Sequence, residues 1–221
     1  MLKINIKKYF IMKKIIIIGA GAMGSAFTVP CLENKNEVTL IGTHLEDELI
    51  NNIQLNKNFH PALNIELPAK LKVEKYERLK SILEGGVDII VAGVSSIGIA
   101  WFVDQIAKNY KKNLPIILLT KGLAIEDNEL ITLSDKIKKL LYQKGHEEVN
   151  VSAIKGPCLA AGLANKMRTG TVIANPNIKE AQNLKKIVST EYYSTEISDD
   201  LTGIELSGAI KNIYSMLIGA S

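Results

Sequence analysis

Short apolar runs recur along this chain, each bounded by charge, glycine or proline and separated by stretches of helical spacing. The clearest is Ile15-Ile16-Ile17-Ile18 after Lys13-Lys14, an unbroken run that suits a parallel strand buried on both faces. Further runs predict strands at Glu37–Gly42, Asp88–Val94, Pro115–Thr120, Val149–Ile154 and Thr171–Ala174. A short strand is expected at Leu71–Val73, and an edge-like one at Tyr192–Ile197. Between them the spacing predicts helices. The first runs from about Ala22 to Asn34, where Pro30 should kink or shorten it. Others span Tyr76–Glu84 with a Gly85-Gly86 stop, Ile97–Tyr110 with Trp101, Phe102 and Ile106 as core, and Ile178–Ser189. Asp127–Leu141 reads as an amphipathic helix with Lys136, Lys138 and Lys139 near its wet face. A last helix runs from Asp199-Asp200 to Ala220, its two acids serving as cap and N-terminal charge. Asn51–Ala69, polar and interrupted by Pro61 and Pro68, reads as loop. Alternating strands and helices of this kind predict an α/β, doubly wound, mostly parallel sheet.

Composition narrows the classes. The 221 residues suffice for one large domain, or one domain and part of another, and 47% apolar content supports an ordinary core. The net charge of +4 is scattered, which argues against a nucleic-acid protein and leaves room for a local positive site for a small anion. Cys31 and Cys158 lie far apart without C-x-x-C spacing and read as reduced thiols in a cytoplasmic protein. The uncharged stretch Ile15–Leu32 is strand, turn and helix rather than a targeting segment, and no transmembrane helix or metal cluster is expected. Residues 1–12 form an N-terminal extension. Either Met12 is the natural start or the tail is real and poorly ordered.

Candidate chemistry gathers at the predicted strand ends, where open α/β sheets bind ligands. Gly19-Ala20-Gly21-Ala22-Met23-Gly24 follows the first strand and opens a helix, the confirming context for a G-x-G-x-x-G dinucleotide turn. Gly19 permits the tight turn, Gly21 lets a pyrophosphate approach, and Gly24 allows close helix packing. The second strand ends at Gly42-Thr43-His44, with neither acid nor arginine at its tip and Glu46 and Asp47 a little later, so NAD and NADP stay open. Thr43 could bond a ribose hydroxyl and His44 a 2′-phosphate, or both could be plain loop residues. Ser95 and Ser96 are cofactor contacts or helix caps. Lys121, at the tip of Pro115–Thr120, points an amine into the ligand crevice, and Gly156-Pro157 marks another strand end. On the last helix Ile204, Ser207, Gly208, Lys211 and Ser215 share a face, and Gly208 implies close packing or room beside Lys211.

These motifs together resemble the NAD(P)-dependent glycerol-3-phosphate dehydrogenases. The resemblance rests on the glycine turn, Thr120-Lys121-Gly122-Leu123, Gly156-Pro157-Cys158-Leu159-Ala160, and above all Gly203-Ile204-Glu205-Leu206-Ser207-Gly208-Ala209-Ile210-Lys211-Asn212. It implies a Rossmann-type domain over 13–198 and, at 199–221, the first helix of an all-α second domain that is otherwise missing. It implies hydride transfer between NAD(P)H and dihydroxyacetone phosphate, supplying glycerol 3-phosphate for phospholipid synthesis. Lys211 would be the general acid/base. Lys121, Gly156, Cys158, Lys211 and Asn212 would meet substrate, and Gly19, Gly21, Ala22, Met23, Gly24, Thr43, Ser95, Ser96, Lys121 and Ala160 the cofactor. Cys158 stands where the family usually has Thr, a stronger hydrogen-bonding group. The resemblance also implies a helical domain carrying an Asp and a phosphate-binding Arg-Asn pair. The expectation is therefore a truncated member that binds cofactor and turns over weakly or not at all, with a homodimer as one option. A ketopantoate or hydroxyacid-type dehydrogenase, or a non-catalytic dinucleotide-binding redox sensor, is the alternative.

Overall fold

A computed structural model describes residues 12–219, leaving aside the side chains at 212–215, 217 and 218. Residues 1–11 of the expected extension therefore lie outside the described residues. In chain order the first half comprises β1 (Lys14–Ile18), α1 (Ala22–Glu33), β2 (Glu37–Ile41), α2 (Asp47–Leu55), β3 (Phe59–His60), β4 (Ile65–Glu66), β5 (Lys72–Glu74), α3 (Leu79–Glu84), β6 (Ile89–Ala92) and α4 (Ile99–Ala107). The second half comprises β7 (Ile116–Leu118), β8 (Leu123–Glu126), β9 (Glu129–Thr132), α5 (Leu133–Gln143), β10 (Val151–Lys155), α6 (Ala160–Ala164), β11 (Thr169–Ala174), α7 (Ile178–Val188), β12 (Tyr193–Ser198) and α8 (Leu201–Gly219).

One eight-stranded sheet carries the order β12-β11-β10-β7-β6-β1-β2-β5. Every neighbouring pair is parallel except β10 and β11. The isoleucine run shows why. Ile15 and Ile17 enter the core beneath α1 and α7, while Ile16 and Ile18 enter the opposite core beneath α4 and α5. A strand covered by helices on both sides needs apolar residues at every position. Chain order reverses on either side of β1, so the switch point lies between β1 and β6. The carboxyl ends of β1, β2, β6, β7 and β10 share one edge.

Three expectations change. Residues 51–69 are not plain loop: α2 reaches Leu55, burying Ile50 and Ile53, and β3 pairs with β4 in a short hairpin. The helix expected from Asp127 begins at Leu133, because Asp127 and Asn128 both take positive φ and close a tight β8–β9 hairpin. Thr132 then caps α5, its Oγ1 accepting from Asp135 N at 3.1 Å. Third, Pro30 does not cut α1 short at its own position; the helix continues through it to Glu33.

Candidate active site

The glycine turn is built by close contact. Gly19 has φ +108°, and a Cβ there would lie 2.6 Å from the carbonyl carbon of Gly93 on the neighbouring strand end. A Cβ on Gly24 would lie 2.2 Å from Gly19 O, so only glycine lets α1 press onto its own strand. Gly21 differs: its nearest neighbour would be Glu46 Oε1, 4.0 Å away, leaving open space on that side. Gly21 also begins α1 with no side-chain cap and no acid in the first turn. Helix amides left without a protein acceptor, beside a glycine with room, fit an anionic pyrophosphate.

Ala20, the residue inside the turn, is held from two directions. Its carbonyl faces His60 Nε2 at 2.9 Å, and its N–H donates to Glu46 Oε2 at 3.0 Å. His60 is wholly buried, and its Nδ1 accepts from Leu63 N at 3.3 Å, so Nε2 carries the proton that Ala20 O accepts. The same Glu46 oxygen accepts from Thr43 N at 2.7 Å. An acid therefore does reach the tip of β2: Glu46, a little beyond the strand end in sequence, folds its side chain back onto it. His44, beside it, has its ring 5.0 Å from that of Trp101, and Tyr76 lies 6.4 Å from both. Trp101 is only partly in the core; its remaining surface belongs to this ring cluster.

Ser95 is exposed, and its hydroxyl accepts weakly from Gly98 N at 3.4 Å, a local turn cap; Ser96 lies against Gly122. Thr120, ahead of Lys121, is buried and donates to Val94 O at 2.6 Å, tying the ends of β7 and β6 together. Lys121 extends across to β10, its Nζ donating to Gly156 O at 3.4 Å.

Two adjoining hollows meet at Lys121 and Gly156. A small one is lined by Met23, Phe27, Cys158, Thr171 and Tyr193. The other, of roughly 250 Å³, is lined by Lys155, Pro157, Ile204, Ser207, Gly208 and Lys211. Lys121, Gly156 and Lys211 thus converge, and Met23 links the glycine turn to them. Cys158 is not on the Lys211 side. It is buried among the core groups of the small hollow, and burial pushes its thiol pKa up. Ala22, Met23 and Ala160 sit partly buried against that same core. Asn212 and Ser215 lie outside the described side chains.

Lys155 closes the apolar strand β10, a visible sequence signal for a residue of the site. It is 4% exposed, and Nζ donates to Leu118 O at 3.3 Å and to Thr120 O. Burial, with Lys121 nearby, lowers its pKa to about 8 against the opposing pull of Glu205. Its methylenes fill the space at Gly208, where an added Cβ would lie 3.2 Å from Cγ and Cδ. Gly208 is therefore a close-packing residue. Glu205, fully buried, accepts from Ser134 N at the start of α5 at 3.3 Å, and Asp200 Oδ1 caps α8 by accepting from Gly203 N at 2.8 Å.

Comparison with known proteins bears on this geometry. Residues 14–181 match the family described as NAD-dependent glycerol-3-phosphate dehydrogenase N-terminus. An NADP(+)-dependent glycerol-3-phosphate dehydrogenase of Archaeoglobus fulgidus is 35% identical over 202 residues, covering 91% of this chain and 58% of the relative. A glycerol-3-phosphate dehydrogenase [NAD(P)+] of Mesoplasma florum is 32% identical, covering 92% and 59%. The crystal structure of glycerol-3-phosphate dehydrogenase from Coxiella burnetii superposes with a TM-score of 0.78 at 25% identity, covering 93% and 59%. The chain spans under three fifths of the length of these curated relatives.

Proposed function

We propose that this chain, which belongs to the NAD-dependent glycerol-3-phosphate dehydrogenase family, holds a nicotinamide dinucleotide along the carboxyl edge of its sheet. On this reading Lys211 serves hydride exchange between dihydroxyacetone phosphate and glycerol 3-phosphate. The observation that carries the reading is the convergence of Lys121, Gly156 and Lys211 on one cleft beside the glycine turn.

Gly19, Gly21, Ala22, Met23 and Gly24, with Thr43, Ser95, Ser96 and Ala160 alongside, would hold the dinucleotide, which would supply or accept the hydride. The chain's own residues do the rest. Reduction of a ketone builds negative charge on its oxygen, and the Lys211 ammonium stabilises that charge and passes a proton to it. Lys121, held near the Gly156 carbonyl, adds a second positive charge that favours a phosphorylated substrate over a neutral one. Lys155, locked beneath both, keeps the β7 and β10 ends in register with α8.

The ketopantoate or hydroxyacid alternative is not favoured, since the family match and the relatives are glycerol-3-phosphate dehydrogenases. Among the described residues no helix is long and apolar enough to cross a membrane. Cys31 and Cys158 are unpaired and buried, which supports a reducing compartment such as the cytoplasm.

The test is titration of the 221-residue chain with NADH and NADPH by nicotinamide fluorescence, followed by an absorbance assay of dihydroxyacetone phosphate-dependent oxidation. Saturable binding and slow turnover that disappears in Lys211→Ala are expected. Binding of neither dinucleotide would refute the site, and undiminished turnover in the variant would refute the role of Lys211.

A further inference from the structure

We infer that Lys155 is a positioning residue that acts through Lys121, fixing that amine over the cleft where it meets the bound dinucleotide. The inference rests on the dinucleotide reading above and deepens it.

Two lysines cross between the ends of β7 and β10. The ladder between these strands runs as far as Leu118 opposite Ala153. Past that rung the Lys155 amine reaches over from β10, donating to Leu118 O at 3.3 Å and to Thr120 O. Lys121 reaches back the other way, its Nζ donating to Gly156 O at 3.4 Å. Each amine thus bonds a carbonyl beside the other lysine, since Thr120 precedes Lys121 and Gly156 follows Lys155.

The two lysines are not equivalent. Lys155 is buried, and its stem lies against Gly208 of α8 with no room to swing. An ammonium has three donors, so it can serve two carbonyls at once. Lys121 is exposed, and its bond to Gly156 O is long. A lysine side chain carries about 2 kcal/mol of rotamer entropy, so an exposed amine serves a site well only where its backbone is already fixed. Thr120 is that fixed point. Its hydroxyl donates to Val94 O at 2.6 Å, beyond the end of β6, and its carbonyl accepts from Lys155 on β10. The residue before Lys121 is therefore tied to both neighbouring strands. On the other side Gly122 takes φ +132°, so the chain turns away directly after Lys121. Neighbouring ammonium groups repel, and the buried Glu205 carboxylate on α8 offsets that repulsion at Lys155. The buried lysine is the anchor, and the exposed one is the group it aims.

A double-mutant cycle on dinucleotide affinity separates this role from a purely structural one. Wild type, Lys155→Met, Lys121→Met and the double variant are titrated, by nicotinamide fluorescence, with whichever of NADH and NADPH the wild-type chain binds more tightly. Circular dichroism and urea melts check that each protein folds. Lys155→Met is expected to weaken binding roughly fivefold when Lys121 is present, and by less than about twofold when Lys121 is already methionine. Lys155→Gln keeps an unbranched stem and a donor for one carbonyl, so it should lose less affinity than Lys155→Met. It also replaces Lys155→Met in the cycle if that variant does not fold. Equal losses in both Lys121 backgrounds overturn the inference, because Lys155 would then act on the cleft without Lys121. Wild-type affinity in Lys155→Met overturns it as well. A wild-type chain that binds neither dinucleotide is a different failure: it removes the site itself, and this inference with it.

Discussion

Replacing Lys155 by methionine asks what a charged amine contributes where α8 meets the sheet. Methionine keeps an unbranched stem against Gly208 but loses the donors to Leu118 O and Thr120 O. Leaving those carbonyls unpaired costs about 1–3 kcal/mol each, and removing a buried charge returns a similar amount. At neutral pH the two effects oppose, so the net change is a poor test. The pH dependence is a better one. The amine's pKa falls from 10.5 to about 8 on folding. Below pH 8 both folded and unfolded chains carry the proton, and the burial cost is present in full. Between pH 8 and 10.5 the unfolded chain still holds the proton and the folded chain does not, so stability rises with pH. Between pH 7 and pH 9.5 the wild-type chain should gain about 2 kcal/mol relative to Lys155→Met, in which this titration is absent. Urea melts of both proteins across that range measure the difference, and groups common to both cancel. Parallel stability curves would refute the buried, proton-releasing amine.

Two further outcomes follow from the same geometry. Gly24→Ala places a methyl 2.2 Å from Gly19 O, so α1 must move off β1. A loss of about 1–3 kcal/mol in denaturant melts is expected, together with lost dinucleotide binding in the NADH titration. Lys121→Met should leave the folding stability nearly unchanged, within about 0.5 kcal/mol, because Lys121 is exposed and its hydrogen bond to Gly156 O is long. Its NADH affinity should nevertheless fall roughly tenfold or more, the scale of a lost hydrogen bond to a charged group.

Residues 15–18 needed no partner to declare themselves: an unbroken isoleucine run suits a strand covered on both faces, and a glycine pattern directly after it marks a tight turn into a helix. Signals of this kind lie within a few residues of one another, so β1, β2, β6, β7 and β10 and the positions of Lys121 and Lys211 could be read from order alone. Tertiary structure decided what depended on distant groups meeting. Glu46 acquires its place through amides 26 and 3 residues away, and nothing in its neighbourhood announces that the side chain folds back. Lys155 becomes a buried latch only because β7 and α8 close over it, 35 residues or more along the chain in one direction and 53 in the other. The β3–β4 and β8–β9 hairpins were hidden for a related reason: their strands are only two to four residues long, too short for an apolar run to mark them, and each exists only where its partner strand pairs with it. Local pattern selects the elements because burial acts on each residue separately, whereas the chemistry of the cleft depends on charges brought together by the fold.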